Sequence, residues 1–90
     1  MLDSAQKQNL REALIEYLAK RSTAKFSISN ITRNLARERM VDFVFSEADI
    51  AEALAVLNGL GFVRETMPKL GSVREYQVTS DGVLFHERNG

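Results

Sequence analysis

Ninety residues without a cysteine suffice for one modest hydrophobic core but not for two, and they exclude a disulfide framework or a thiolate metal site. Hydrophobic residues make up 44% of the chain and charged residues 27%, a balance that excludes a disordered or fibrous protein. Twelve basic and twelve acidic residues cancel, so the total charge itself directs the chain to neither nucleic acid nor an anionic membrane. No basic-then-apolar leader opens the sequence and no apolar run approaches the length of a membrane span. One cytoplasmic domain over residues 1–90 is expected.

Over residues 4–21, Leu10, Ala13, Leu14, Tyr17 and Leu18 recur at the three-and-four spacing of one helical face. Ile15 lies off this stripe, so the first helix either touches a second element, such as the C-terminal segment or another subunit, or leaves one Ile exposed. Residues 21–25 are polar and small, a connection, and Phe26 and Ser27 suit a very short strand. A second helix follows to about Arg37, capped by Ser27 or Ser29, with Ile28, Ile31 and Leu35 inward and Arg33 and Arg37 on the opposite, solvent side. Residues 40–45, Met-Val-Asp-Phe-Val-Phe, form a connection that is long and apolar for a turn between helices.

A third helix has the clearest start signal: Ser46 as N-cap, with Glu47 and Asp49 in a first turn where negative charge suits the helix dipole. Its buried stripe is Ile50, Ala53, Leu54 and Leu57, and it should stop within Asn58-Gly59-Leu60-Gly61. Two runs rich in β-branched and aromatic residues, 62–67 and 73–79, form a hairpin around the tip 68–72. Thr79 or Ser80 then caps a short last helix carrying Val83, Leu84 and Phe85. The fold class is α+β: a three-helix bundle, a two-stranded hairpin and a C-terminal helix.

This order of elements resembles the winged helix-turn-helix superfamily over nearly the whole chain. The resemblance is carried by Phe26-Ser27-Ile28-Ser29-Asn30-Ile31 opening helix two and by Leu57-Asn58-Gly59-Leu60-Gly61-Phe62-Val63 leaving helix three. It is carried also by Tyr76-Gln77-Val78-Thr79-Ser80-Asp81-Gly82, which looks like the end of the wing in bacterial winged-helix regulators. The resemblance implies a small transcriptional regulator with helix three in the major groove of double-stranded DNA and the wing beside it. Winged helices also serve as protein-interaction modules, so the surface chemistry must decide between the two.

Charge is unevenly distributed. Residues 20–39 hold six bases (Lys20, Arg21, Lys25, Arg33, Arg37, Arg39) against Glu38, whereas residues 42–52 hold four acids and no base. Arg33 and Arg37 are candidate phosphate ligands on helix two, and Arg64, Lys69 and Arg74 on the wing, although Glu65 and Glu75 reduce the wing's excess. The solvent face of helix three comprises Ala48, Ala51, Glu52 and Ala55, which lacks bidentate donors; Ala48 and Glu52 are its candidate base contacts, to a thymine methyl and a cytosine amine. The same face would suit a protein partner. Met40, Val41, Phe43 and Phe45 either fold down on the core or offer a surface to a dimer mate or protein partner. His86 is a lone histidine, no phosphate loop precedes a helix, and no nucleophile has a recognisable base, so neither an enzyme nor a metal or cofactor site is expected.

Overall fold

A computed structural model describes residues 2–67 and 70–89. The chain runs α1 (Ser4–Ala19), β1 (Phe26–Ser27), α2 (Ile28–Arg37), α3 (Glu47–Gly59), β2 (Val63–Thr66), β3 (Glu75–Val78) and α4 (Ser80–Asn89). Each start has a local cause. Asp3 and Gln6 form a capping box ahead of α1, Ser27 accepts from Asn30 N at 3.3 Å ahead of α2, and Ser46 with Asp49 closes a second capping box ahead of α3. Ser27 rather than Ser29 is thus the cap of α2.

The ends are equally local. Leu60 caps α3, Gly61 takes φ +82°, Phe62 N–H donates to Leu57 O at 2.9 Å, and Gly61 N–H donates to Asn58 O at 3.0 Å. This left-handed exit turns the chain straight into β2, and Gly61 supplies the conformation at no steric cost. Helix α2 leaves through the same bond pattern, with Met40 N–H on Leu35 O and Arg39 at φ 52°, a conformation that a residue with a Cβ rarely adopts.

The hairpin carries a third strand. Central β3 pairs antiparallel with β2 (Val63↔Val78, Glu65↔Tyr76) and with β1 (Phe26↔Tyr76, Ser27↔Glu75), giving the order β1-β3-β2. The two-residue strand read at Phe26 thereby closes one edge of the expected two-stranded wing. Gln77 Nε2 also donates to Ser22 O at 2.7 Å, fastening β3 to the turn after α1.

One core joins these layers: Leu10, Leu14, Tyr17 and Leu18 of α1 meet Ile31, Leu35, Ile50, Leu54 and Leu57 of the next two helices and Val63, Tyr76 and Val78 of the sheet. Ile15 is buried as well, and α1 packs against α4 in addition to α3. Met40, Val41, Phe43 and Phe45 lie half-buried against this core. The connection is therefore a cover on the bundle, and its outward apolar side chain is Val44, 92% exposed. Thr79 joins the wing to α4: its N–H donates to Phe62 O at 2.9 Å, its hydroxyl donates to Gly61 O at 2.6 Å, and the same oxygen accepts from Gly82 N at 3.1 Å. Thr79 is therefore the cap of the last helix.

Candidate nucleic-acid interface

Because Ile50, Ala53, Leu54 and Leu57 face the core, helical geometry turns Ala48, Ala51 and Ala55 outward. These three alanines form one wall of an open groove of about 680 Å³. Ile28 and Ser29 at the start of α2 and Glu65, Val73, Arg74 and Tyr76 of the wing complete it. Ser29 Oγ donates to Glu47 at 3.3 Å, which ties the first turns of α2 and α3 together at one end of the groove.

The groove is not basic. Glu65 accepts from the Tyr76 hydroxyl at 2.7 Å and from Arg74 Nη1 at 3.3 Å. Arg74, expected to grip phosphate, therefore has a carboxylate already beside it. The only carboxylates on the groove wall are those of Glu47 and Glu65, and Arg74 is the only base, among the described residues. The Tyr76 phenol is pushed up to about 12 from an ordinary 10.0 by burial, by its hydrogen bond to Glu65 and by the charge of that carboxylate, against a smaller opposing effect of Arg74.

A test of this cluster follows directly. The folded state holds the Tyr76 proton more tightly than the unfolded chain does, so this contribution to stability is intact below pH 10.0 and is lost as the pH rises towards about 12. An ultraviolet titration of tyrosine should show Tyr76 ionising near that upper value. In Glu65→Gln the midpoint should fall but stay above the free-phenol value, because burial remains. An unchanged midpoint would remove Glu65 from the explanation.

The other sequence-predicted residues separate. Glu52, one helical turn after Ala48, is not part of the groove lining; its carboxylate reaches toward α1 and pairs with Lys7 at 3.3 Å, an exposed contact worth about 0–1 kcal/mol. Arg64 lies on the opposite face of the sheet from Glu65, in register with Gln77, because strand side chains alternate. It borders a second open groove of about 810 Å³ together with Ser80 and Asp81 of α4. Lys69 lies outside the described residues. Arg64 and Arg74 thus address different faces and do not form one clamp.

Arg33 and Arg37 do lie together. With Ser29 they make a row at four-residue spacing along the exposed face of α2, starting at the groove edge, and neither has an ion pair among the described residues. Each is held by an amide one turn back: Arg33 Nη2 donates to Asn30 Oδ1 at 2.7 Å and Arg37 Nη2 to Asn34 Oδ1 at 2.8 Å. Sequence reasoning missed these amides, although the signal is present as Asn-x-x-Arg written twice in succession, Asn30 to Arg33 and Asn34 to Arg37. It also missed Val73, which is 71% exposed on the groove wall.

The backbone arrangement is shared with known structures. Over 99% of this chain it superposes on 84% of a transcriptional regulator from Clostridium thermocellum, with TM-score 0.74 and 16% identity. It also covers 57% of a double mutant of Lactococcus lactis ZitR with 99% of its own length, at TM-score 0.68 and 17% identity. The fold is a winged helix-turn-helix. The sequence matches no protein-family model and no curated protein. Within the winged helix, α2 and α3 are the helix-turn-helix pair, β2 and β3 are the wing, and the alanine-lined groove runs between the second helix of the pair and the wing. No helix among the described residues is long and apolar enough to cross a membrane, and no cluster of potential metal ligands occurs among them.

Proposed function

We propose that the chain is a small DNA-binding transcriptional regulator that acts in the cytoplasm as a homodimer and grips the phosphate backbone chiefly through Arg33 and Arg37. The observation that carries this reading is the row of two exposed arginines, without acidic partners among the described residues, that runs from the end of the groove beside α3. The likeness to a transcriptional regulator of the same fold supports it. In this reading α3 approaches the bases with Ala48, Ala51 and Ala55, a face that permits close backbone approach and apolar contact but supplies no bidentate donor. Affinity then comes from phosphates more than from base edges. Wing cations contribute less, since Arg74 faces Glu65 and Arg64 points to the far side of the sheet.

A second reading, a winged-helix module for a protein partner, is favoured by the same groove: its acids outnumber its base and Val73 is exposed on its wall. Fluorescence anisotropy with a random-sequence duplex across a salt series separates the two. A phosphate-gripping protein must lose affinity as salt rises, with a log-log slope of about −0.9 for each phosphate engaged. Absence of binding at low salt would leave the protein-module reading in its place.

A further inference from the structure

The two Asn-Arg units of α2 are alike in sequence but not in their support. Asn30 holds Arg33 from the helix surface alone. Asn34 is itself anchored: its Nδ2 donates to the Tyr17 hydroxyl at 2.7 Å, across from α1 and 17 residues away in the chain. Tyr17 is 1% exposed, and its ring is fixed from two directions, by Phe26 with centroids 5.4 Å apart and by the Arg21 guanidinium 4.1 Å from the ring centre. Arg21 is locked in turn by the Tyr17 carbonyl and by Glu38, both at 3.1 Å. Arg21 and Glu38 satisfy each other, so this pair adds no net charge to the surface it braces.

An amide can serve Tyr17 and Arg37 together in one orientation. Arg37 has only donors, so Asn34 must turn its oxygen to the guanidinium and its NH2 to the phenolic oxygen. The result is a guanidinium on the surface whose direction is set by a ring in the core. A free arginine side chain loses rotamer freedom when it grips an anion, and one already held loses less. The bond to Asn34 leaves further N–H donors of Arg37 for that anion.

We infer that Tyr17 and Asn34 are positioning residues that present Arg37 to a DNA phosphate, with Arg33, one helical turn away, on the neighbouring phosphate of the same strand. Four helical residues separate the two arginines by about 6 Å, which is of the order of the spacing between successive phosphates on a strand. The inference rests on the DNA-binding reading above and adds to it the source of the site's rigidity.

The test is a double-mutant cycle on the full chain, read by anisotropy with a fluorescein-labelled random-sequence duplex over a salt series. Tyr17→Phe keeps the buried ring and deletes the hydroxyl; it should weaken binding roughly threefold to tenfold. Arg37→Ala should weaken binding more and reduce the salt slope by about 0.9. In the Arg37→Ala background, Tyr17→Phe should cost nothing further, a coupling that a general loss of stability would not produce. Equal losses in both backgrounds, or wild-type affinity in Tyr17→Phe, would overturn the positioning role while leaving the DNA reading intact. Should circular dichroism show Tyr17→Phe unfolded, the same cycle with Asn34→Ala decides, since Asn34 lies at the core's edge. If the unmodified protein binds no duplex at low salt, the DNA reading and this inference fall together.

Discussion

Replacing Gly82 by alanine is expected to lower the melting temperature by about 5–20 °C, corresponding to roughly 1–3 kcal/mol of overpacking in a domain of this size. Gly82 sits in the first turn of α4 without a positive φ, so helix propensity alone would favour alanine by up to about 1 kcal/mol. Space decides the sign. A Cβ at this position would collide with the Phe62 carbonyl oxygen and lie 2.6 Å from Val78 Cγ2, one a backbone atom and the other in the core. The Phe62 oxygen cannot retreat freely, because it accepts the Thr79 N–H at 2.9 Å in the junction between wing and α4. The matching control is Gly59→Ala at the end of α3, where an added Cβ meets nothing within 4 Å. There the same change should stabilise by about 0.4–1 kcal/mol. Thermal unfolding followed by circular dichroism measures both, and a Gly82→Ala protein as stable as the parent would mean that α4 does not seat against Phe62.

Removing both exposed arginines, Arg33→Ala with Arg37→Ala, should lower affinity for any duplex by about two orders of magnitude at low salt, taking each lost charged contact as roughly 1.5 kcal/mol. The salt slope should become shallower by about 1.8, the sum for two phosphates. Because phosphates carry no sequence information, the loss should be nearly the same on every duplex tested. The fold should be untouched, since both side chains lie on the exposed face of α2 and each is hydrogen-bonded, among the described residues, only to an amide one turn back on the same helix. An unchanged slope would show that α2 is not the gripping surface. Glu65→Gln offers the opposite sign: it relieves Arg74 of its carboxylate, and duplex affinity should rise if the wing reaches the backbone.

Most of the architecture was legible because its causes are short-range. The capping signals at Ser46 and Ser27, the three-and-four stripes of α1 and α3, and the glycine exit at Gly61 each act within a turn of helix, so residue spacing alone reveals them. The same holds for the outward placement of Arg33 and Arg37, which follows from where Ile31 and Leu35 must go. The capping box at Asp3 was equally local and was overlooked, because Gln6 completes it from a segment whose apolar stripe begins only at Leu10.

What the chain order could not supply were relations between elements distant in sequence. Whether Arg64 or Arg74 faces the groove depends on which side of the sheet meets the core, and strand alternation then sends them apart. Glu52 finds its partner in Lys7 of α1, and the apolar connection 40–45 closes over the bundle because a core surface is there to receive it. Tyr17 and Asn34 meet only once α1 and α2 have docked. The sequence by itself determined the helices, their caps and the two arginines that α2 exposes, all through interactions spanning a few residues. The tertiary structure alone decided which charges remain unneutralised and which are held in place, because a partner contributed by another element is set by packing and not by spacing along the chain.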